Sequence, residues 1–401
     1  MTSLIYNIGG IITYDLKSED VITSNVDSIL IKNNYIDKIN CNSNINSNTK
    51  IDAKGCFLTP GFIDSHTHLI FSSNRANDFN RRIAGDSYQK IAESGGGIKS
   101  SINSLRNSTK EELLINCSKH VNRILKSGTT TIEAKSGYGL SLPEEIKSLE
   151  TIKELNQISN IDIIPTFMGA HDFPIGTNND SYVDLVCDEM IPEISKYNLA
   201  EFCDIFCEDG YFNHNQTTKI AEKAKEYNLD IKLHVDEFND SNGAFLAGEL
   251  NAVSADHLMK SNSNGLSNMA KNNVIATILP GTTLFLGLNS FADAKKMIKL
   301  GCDVAVASDF NPGSCHIKSM PFIIGLSCIY LGLSIEEALK AATWSGACAI
   351  NEEERIGSIE VGKKADLIIW DLDTIEQIPY NITSTPIRNV IKDGDPLISL
   401  D

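Results

Sequence analysis

The chain has 401 residues, a formal charge of −17 at pH 7 and a pI near 4.9, a balance that argues against nucleic acid or an anionic membrane as its main partner. With 42% hydrophobic and 22% charged residues it has the make-up of a soluble globular protein, long enough for one large α/β domain and a small accessory one. No apolar run approaches the ~20 residues of a membrane span, Met1–Tyr6 lacks the basic start of a secretory signal, and a small anionic substrate stays open because one local arginine can outweigh the global field.

Ten cysteines without a CxxC pair read as free thiols of a reducing cytoplasm. Cys203 and Cys207, on one strand, would sit roughly 13 Å apart, too far for a disulfide or a shared metal.

In chain order, residues 1–59 carry short strand patterns. Ser28–Lys32 and Tyr35–Ile39 flank Asn33-Asn34, a hairpin signal. A polar loop over 40–50 follows. The apolar run from Pro60 then ends in His66-Thr67-His68. Side chains two apart on a strand share a face, so these imidazoles enter one space and make half of a metal site; two exposed strand-end histidines are the plainer alternative. Gly95-Gly96-Gly97 before Lys99-Ser100 has the wrong spacing for a P-loop and reads as a mobile loop over a site.

The middle of the chain alternates strand and helix. Strand patterns cover Phe62–His66, Thr129–Ala134, Ile161–Met168, Phe202–Cys207, Ile231–Val235, Ala252–Ala255, Val274–Leu279 and Val304–Ala307. Between them, 110–127 places Leu113, Leu114, Cys117, Val121, Ile124 and Leu125 on one stripe ended by Gly128, and 143–158 opens with Pro143. Eight β-runs with intervening helices predict a (β/α)8 TIM barrel of the α/β class over 60–352. A doubly wound open sheet is second, because no GxGxxG opens a helix. Strand-like Ala365–Asp371 and Asn389–Gly394 match the N-terminal segment in character. Residues 1–59 and 353–401 are therefore expected to form one small β-sandwich domain built from both termini.

A barrel demands that functional side chains gather at the C-terminal ends of its strands. Strand one ends at His66 and His68, strand three at His171, strand five at His234 with Asp236-Glu237, strand six at His257, and strand eight at Asp309. Five of the eight histidines thus crowd one rim. Any one alone is better explained by packing; the cluster is not.

The segments SHTHLIFSSNR (65–75), ESGGGI (93–98), EAKSGYGL (133–140), TFMGAHDFP (166–174), LHVDEF (233–238), SADHL (254–258), ATILPGTTLFLG (276–287) and SDFNPGS (308–314) resemble the amidohydrolase superfamily, metal-dependent hydrolases on a (β/α)8 barrel. More narrowly, the chain is similar to the imidazolonepropionase family of histidine degradation. That resemblance implies hydrolytic opening of 4-imidazolone-5-propanoate to N-formimino-L-glutamate by metal-activated water, in a cytoplasmic homodimer that takes a small molecule and neither nucleic acid nor membrane. The metal ligands it implies are His66, His68, His234 and Asp309, holding one divalent ion, zinc or iron. Binuclear relatives carry a strand-four lysine. Here that strand ends Phe206-Cys207-Glu208, which favours one metal, with Glu208 as a possible bridge. Asp309, Glu237 and His257 become the catalytic candidates: Asp309 shuttles the proton, Glu237 orients water or substrate where the strand turns into its loop, and His257 polarises the attacked group. Glu237 has an alternative as a strand-end carboxylate in an ion pair.

The same resemblance assigns substrate contacts to Arg75, Tyr88, Tyr138, His171, Glu237, Asn311, Gly313 and Ser314. Arg75 would grip the propionate carboxylate. Alternatives stand beside these: a surface arginine, a core aromatic for Tyr138, and a plain turn for Asn311-Pro312-Gly313. Two other functions are weighed: a mononuclear deaminase of guanine or cytosine type, and a catalytically inert scaffold. A neutral base needs no carboxylate clamp, and scaffolds usually lose metal ligands.

Overall fold

A computed structural model describes residues 2–41, 45–86, 90–91 and 94–399. Its centre is an eight-stranded parallel sheet paired in chain order: Phe62–Asp64, Thr129–Lys135, Asp162–Ala170, Phe202–Cys207, Asp230–Val235, Ser254–His257, Ile275–Ile278 and Val304–Val306. Nearly every residue in these strands is buried, as a parallel sheet covered on its outer face by helices and packed inside requires. All eight match the strands read from sequence to within two residues at each end.

Two ends differ for local reasons. Strand one stops at Asp64 because its carboxylate accepts bonds from the Ser308 backbone N–H (2.9 Å) and hydroxyl (2.5 Å), a side chain standing in for the ladder. The chain continues extended: Asp309 N–H donates to the His66 carbonyl at 3.1 Å and His68 N–H to the Phe310 carbonyl at 2.9 Å. Those two bonds join strand eight to strand one and complete the ring beyond their ends. Strand three runs on to Ala170 through a register shift between Phe167 and Ala170, a bulge that re-aims His171.

The helix read over 110–127 spans Lys110–Leu125 and buries the six stripe residues named above. Thr109 accepts from the Glu112 N–H while the Glu112 side chain accepts from the Thr109 N–H, a reciprocal cap worth about 1 kcal/mol. The second helix, Leu142–Ile158, keeps Pro143 in its first turn, where no N–H is needed.

The termini build two further sheets. One has the order Tyr35–Ile39, Ser28–Lys32, Thr2–Tyr6, Thr49–Asp52; the other runs Asp395–Ser399, Ile387–Lys392, Leu367–Trp370, Phe57–Pro60, Gly10–Asp15, Asp20–Ser24. Isoleucines from both, including Ile5, Ile11, Ile29, Ile31, Ile369 and Ile391, form one buried cluster between them. The hairpin at Asn33-Asn34 has φ of 50° and 74°, the left-handed pair that a tight two-residue turn needs and asparagine tolerates. Among the described residues no helix is long and apolar enough to cross a membrane.

Candidate metal centre

Five histidines and an aspartate meet at the C-terminal mouth of the barrel. The ligand-type atoms of His66, His68 and Asp309 lie within 4.8 Å of one another, and those of His66, His234 and His257 do likewise. Asp309 Oδ1 is 3.7 Å from His66 Nε2 and 3.6 Å from His68 Nε2, and His68 Nε2 is 3.3 Å from His234 Nε2. A tetrahedron with ~2.1 Å metal–ligand bonds has edges of ~3.4 Å. The spacing of His66, His68 and Asp309 therefore suits one ion, and His234 Nε2 lies beside His68 Nε2 at the same centre. Two of the atoms, His66 Nε2 and Asp309 Oδ1, are buried with no hydrogen-bond partner, an arrangement a folded protein avoids unless something else satisfies them.

Carboxylates fix the tautomers. His66 Nδ1 is 2.6 Å from Asp256 Oδ2 and His234 Nδ1 is 2.9 Å from Asp204 Oδ1, so each imidazole donates there and turns a lone pair on Nε2 towards the centre. Lys135 Nζ donates to Asp204 Oδ2 at 2.7 Å and to Glu133 Oε1 at 2.6 Å. Ser254 Oγ donates to Asp256 Oδ1 at 2.7 Å. Burial holds His66, His68 and His234 well below the ordinary imidazole pKa, with neighbouring positive groups reinforcing it, so all three are neutral and able to ligate. Burial pushes Asp309 up to about 7 against the opposing Thr282 hydroxyl, which donates to Oδ2 at 2.5 Å.

These protonation states set a proton count for metal binding. With the imidazoles already neutral, loading zinc at pH 6 should release about one proton, from Asp309, and affinity should rise about tenfold per pH unit up to 7. Calorimetry in buffers of different ionisation enthalpy measures the number. Three ordinary histidines would instead release two or more, and that result would refute the assignment.

The substrate side of the mouth is built from loops held in strained backbone. Asp236, His257 and Asp309 have φ of 52°, 78° and 50°, left-handed conformations clustered at three strand ends. At Asp236 the turn is held by its own carboxylate, which accepts from the Ser241 and Gly243 backbones and from Ser261 Oγ. The chain thereby leaves the strand after Val235 and places Glu237 facing His257, with Oε2 3.7 Å from Nε2. Burial first, then the charges of Asp309 and Glu208, hold the Glu237 carboxyl well above its usual range. Glu208 does not face the ligand set as a bridge. Its carboxylate accepts the backbone N–H groups of Asp209, Glu237 and Phe238, and so fixes the Glu237 loop.

His171 stacks on His68 with centroids 4.9 Å apart, and its Nδ1 is 3.0 Å from the Gly137 carbonyl. Tyr138 lies 6.0 Å from His68 and 5.3 Å from His171, on a loop whose Gly137, Gly139 and Leu140 N–H groups all donate to buried Glu145. Arg75 precedes helix Ala76–Ile83; its backbone N–H donates to the Pro312 carbonyl and its Nε is buried without a hydrogen bond. The guanidinium packs so closely over Gly313 that a Cβ there would fall 1.9 Å from it. Asn311 is engaged within its own loop: Oδ1 accepts from the Gly313 and Ser314 N–H groups, and Nδ2 donates to the Asp309 carbonyl and to Ser314 Oγ. The turn alternative read from sequence thus accounts for its side chain. The triple glycine packs beside Arg75's helix, with Gly97 N–H donating to Asp78 Oδ2 at 2.8 Å. Tyr88 lies outside the described residues.

Comparison with known proteins decides the family. Residues 57–397 match the Amidohydrolase family. An imidazolonepropionase of Alkaliphilus oremlandii is 43% identical over 360 residues, 89% of this chain and 85% of that protein, and one of Clostridium tetani is 44% identical over 86% and 83%. The chain belongs to the amidohydrolase family, on its imidazolonepropionase branch. Solved structures share the amidohydrolase fold at low identity. An adenosine deaminase from Xanthomonas campestris with bound zinc has a TM-score of 0.73 at 17% identity, covering 99% of this chain and 93% of its own. A 5-methylcytosine deaminase from Klebsiella pneumoniae has 0.74 at 15%, covering 99% and 98%.

In this amidohydrolase the buried charges beneath the clustered histidines escaped the reading of the sequence. Glu133, Lys135, Asp204, Lys232 and Asp256 are all fully buried. Their signal was present: Glu133 and Lys135 stand two apart in an apolar strand, as do Lys232 and His234, and Asp204 interrupts Phe-Cys-Asp-Ile-Phe-Cys. Period-two charges inside an apolar run point into the barrel, where only paired ions survive. Asp204→Ala or Asp256→Ala should weaken zinc binding about 10- to 100-fold by freeing an imidazole, as competition with a chromophoric chelator will measure. Unchanged affinity would mean these carboxylates do not orient ligands.

Proposed function

We propose that this amidohydrolase is an imidazolonepropionase: it hydrolyses 4-imidazolone-5-propanoate to N-formimino-L-glutamate. One juxtaposition carries the reading, a cation site of three neutral imidazoles and a carboxylate at the same barrel mouth as Arg75, a guanidinium with no carboxylate partner among the described residues. The family identity supports the choice of substrate.

We assign one divalent ion, zinc or iron, to His66, His68, His234 and Asp309. When bound, it supplies a Lewis acid that lets water act as a nucleophile at neutral pH. Water adds to the ring carbonyl carbon, the bond from that carbon to the ring nitrogen breaks, the carbon becomes a carboxylate and the nitrogen gains a proton. Asp309 moves that proton, taking it from the attacking water and returning it to the departing nitrogen, while the Thr282 hydroxyl holds its Oδ2. Glu237, kept protonated by burial, offers an O–H to the ring, and His257 beside it positions the carbonyl. Arg75 grips the propionate while Tyr138 and His171 hold the ring. Gly313, Asn311 and Ser314 shape the loop under Arg75, and Tyr88 belongs to the same substrate-contacting set by resemblance. We assign the reaction to the cytoplasm, which suits ten free cysteines, and to a homodimer, which the family resemblance implies.

The test is a spectrophotometric assay of imidazolone loss with and without chelator. Loss of the chromophore with matching formation of N-formimino-L-glutamate, abolished by chelator, is expected. Ammonia release from guanine or cytosine, with the imidazolone untouched, would replace this reading with a deaminase.

A further inference from the structure

A second, cationic pocket lies behind Phe310, the residue after Asp309. It is a cavity of about 310 Å³ whose walls include Phe71, Ser73, Asn116, Lys119, His120 and Arg123. His120 sits against Phe71 and Phe310 with centroids 5.2 and 5.0 Å away, and His316 against Phe310 at 5.1 Å. Lys318 Nζ lies 4.2 Å from the Phe310 ring centre.

The charge pattern is the unusual part. In a chain with 52 acidic residues and 35 lysines and arginines, this cavity has two basic side chains and no carboxylate in its wall. Among the described residues none pairs with Lys119, Arg123 or Lys318; the Lys318 ammonium donates only to the His316 carbonyl, at 3.4 Å. His120 Nδ1 is buried without a hydrogen bond. After burial itself, the groups that hold His120 down to about 4 are Lys318, His316, Arg123 and Lys119; three of them are cationic, and burial holds His316 itself below the ordinary imidazole value. Like charges gathered this way cost stability unless an anion joins them.

We propose that this pocket binds a small polyvalent oxyanion, a phosphate or a short dicarboxylate, with Lys119, Arg123 and His120 as donors and Lys318 adding charge across the Phe310 ring. The class follows from size and chemistry: the cavity is at the low end for small-molecule sites, and its free groups are donors. It shares no residue with the metal ligands.

The test uses the metal-loaded full-length protein, titrated calorimetrically with inorganic phosphate and separately with succinate, against chloride at matched ionic strength. Saturable binding of either anion is expected, phosphate alone or succinate alone naming the class. The double variant Lys119→Ala with Arg123→Ala, both exposed positions, should weaken it at least about tenfold with metal content and ring opening unchanged. Arg75→Ala should leave it intact. The proposal is overturned if neither anion binds beyond the chloride control, if the double variant binds as the parent does, or if Arg75→Ala alone abolishes binding.

Discussion

Asp309→Asn lowers kcat for imidazolone hydrolysis by about a thousandfold while the protein stays folded. Two effects combine. The amide cannot carry the proton from water to the leaving nitrogen, a transfer that contributes roughly 10²–10⁴ in rate. It also takes a negative charge from the group of atoms formed by His66 Nε2, His68 Nε2 and Asp309 Oδ1. A thousandfold is about 4 kcal/mol of barrier, more than an ordinary buried hydrogen bond contributes. Thr282 can still donate to the amide oxygen, so the loop should hold and the thermal midpoint should move little. Steady-state kinetics with a parallel melting curve separates the cases: loss of activity with a collapsed melting temperature would make Asp309 structural, and near-parental kcat would remove it from the chemistry.

Arg75→Ala should raise KM for imidazolone propionate about a hundredfold with a much smaller change in kcat. A guanidinium–carboxylate pair in a partly buried site contributes roughly 2–4 kcal/mol, and the propionate is remote from the bond that breaks. Gly313→Ala should imitate it, because the new methyl would occupy the space of the guanidinium and a flexible side chain swings away more readily than a backbone shifts. Lysine at position 75 should recover only part of the affinity, since it offers a point charge where a planar fork is held. A KM unchanged in Arg75→Ala would detach this residue from the substrate and reopen the choice of a neutral ring.

Much of this was legible in the sequence because burial on both faces of a parallel barrel strand leaves a strong apolar signature. The eight strands emerged with ends off by no more than two residues, and the demand that functional groups sit at strand ends then located His66, His171, His234, His257 and Asp309. The two-residue spacing of His66 and His68 was informative for the same reason, although the formal strand stops at Asp64 and backbone bonds to the strand-eight segment carry the geometry onward. What could not be read is what depends on distant partners. Asp204 meets His234 and Lys135 only after the ring closes, and Asp256 meets His66 across 190 residues. Glu208 shows the converse: its place at a strand end suggested a ligand, yet three backbone N–H groups claim it. Loop side chains such as Asn311 are equally ambiguous until their own turn is seen, since the residues that make a good turn also make good ligand contacts.

The most direct measurement of the central claim is metal stoichiometry taken together with turnover. Elemental analysis should find one equivalent of zinc or iron per chain in the parent protein and less than a tenth of that in His234→Ala, with imidazolone opening lost on chelation and restored by adding the ion back. Full turnover by protein from which the metal has been stripped, or a His234→Ala variant that retains its ion, would contradict the idea that His66, His68, His234 and Asp309 work as one site.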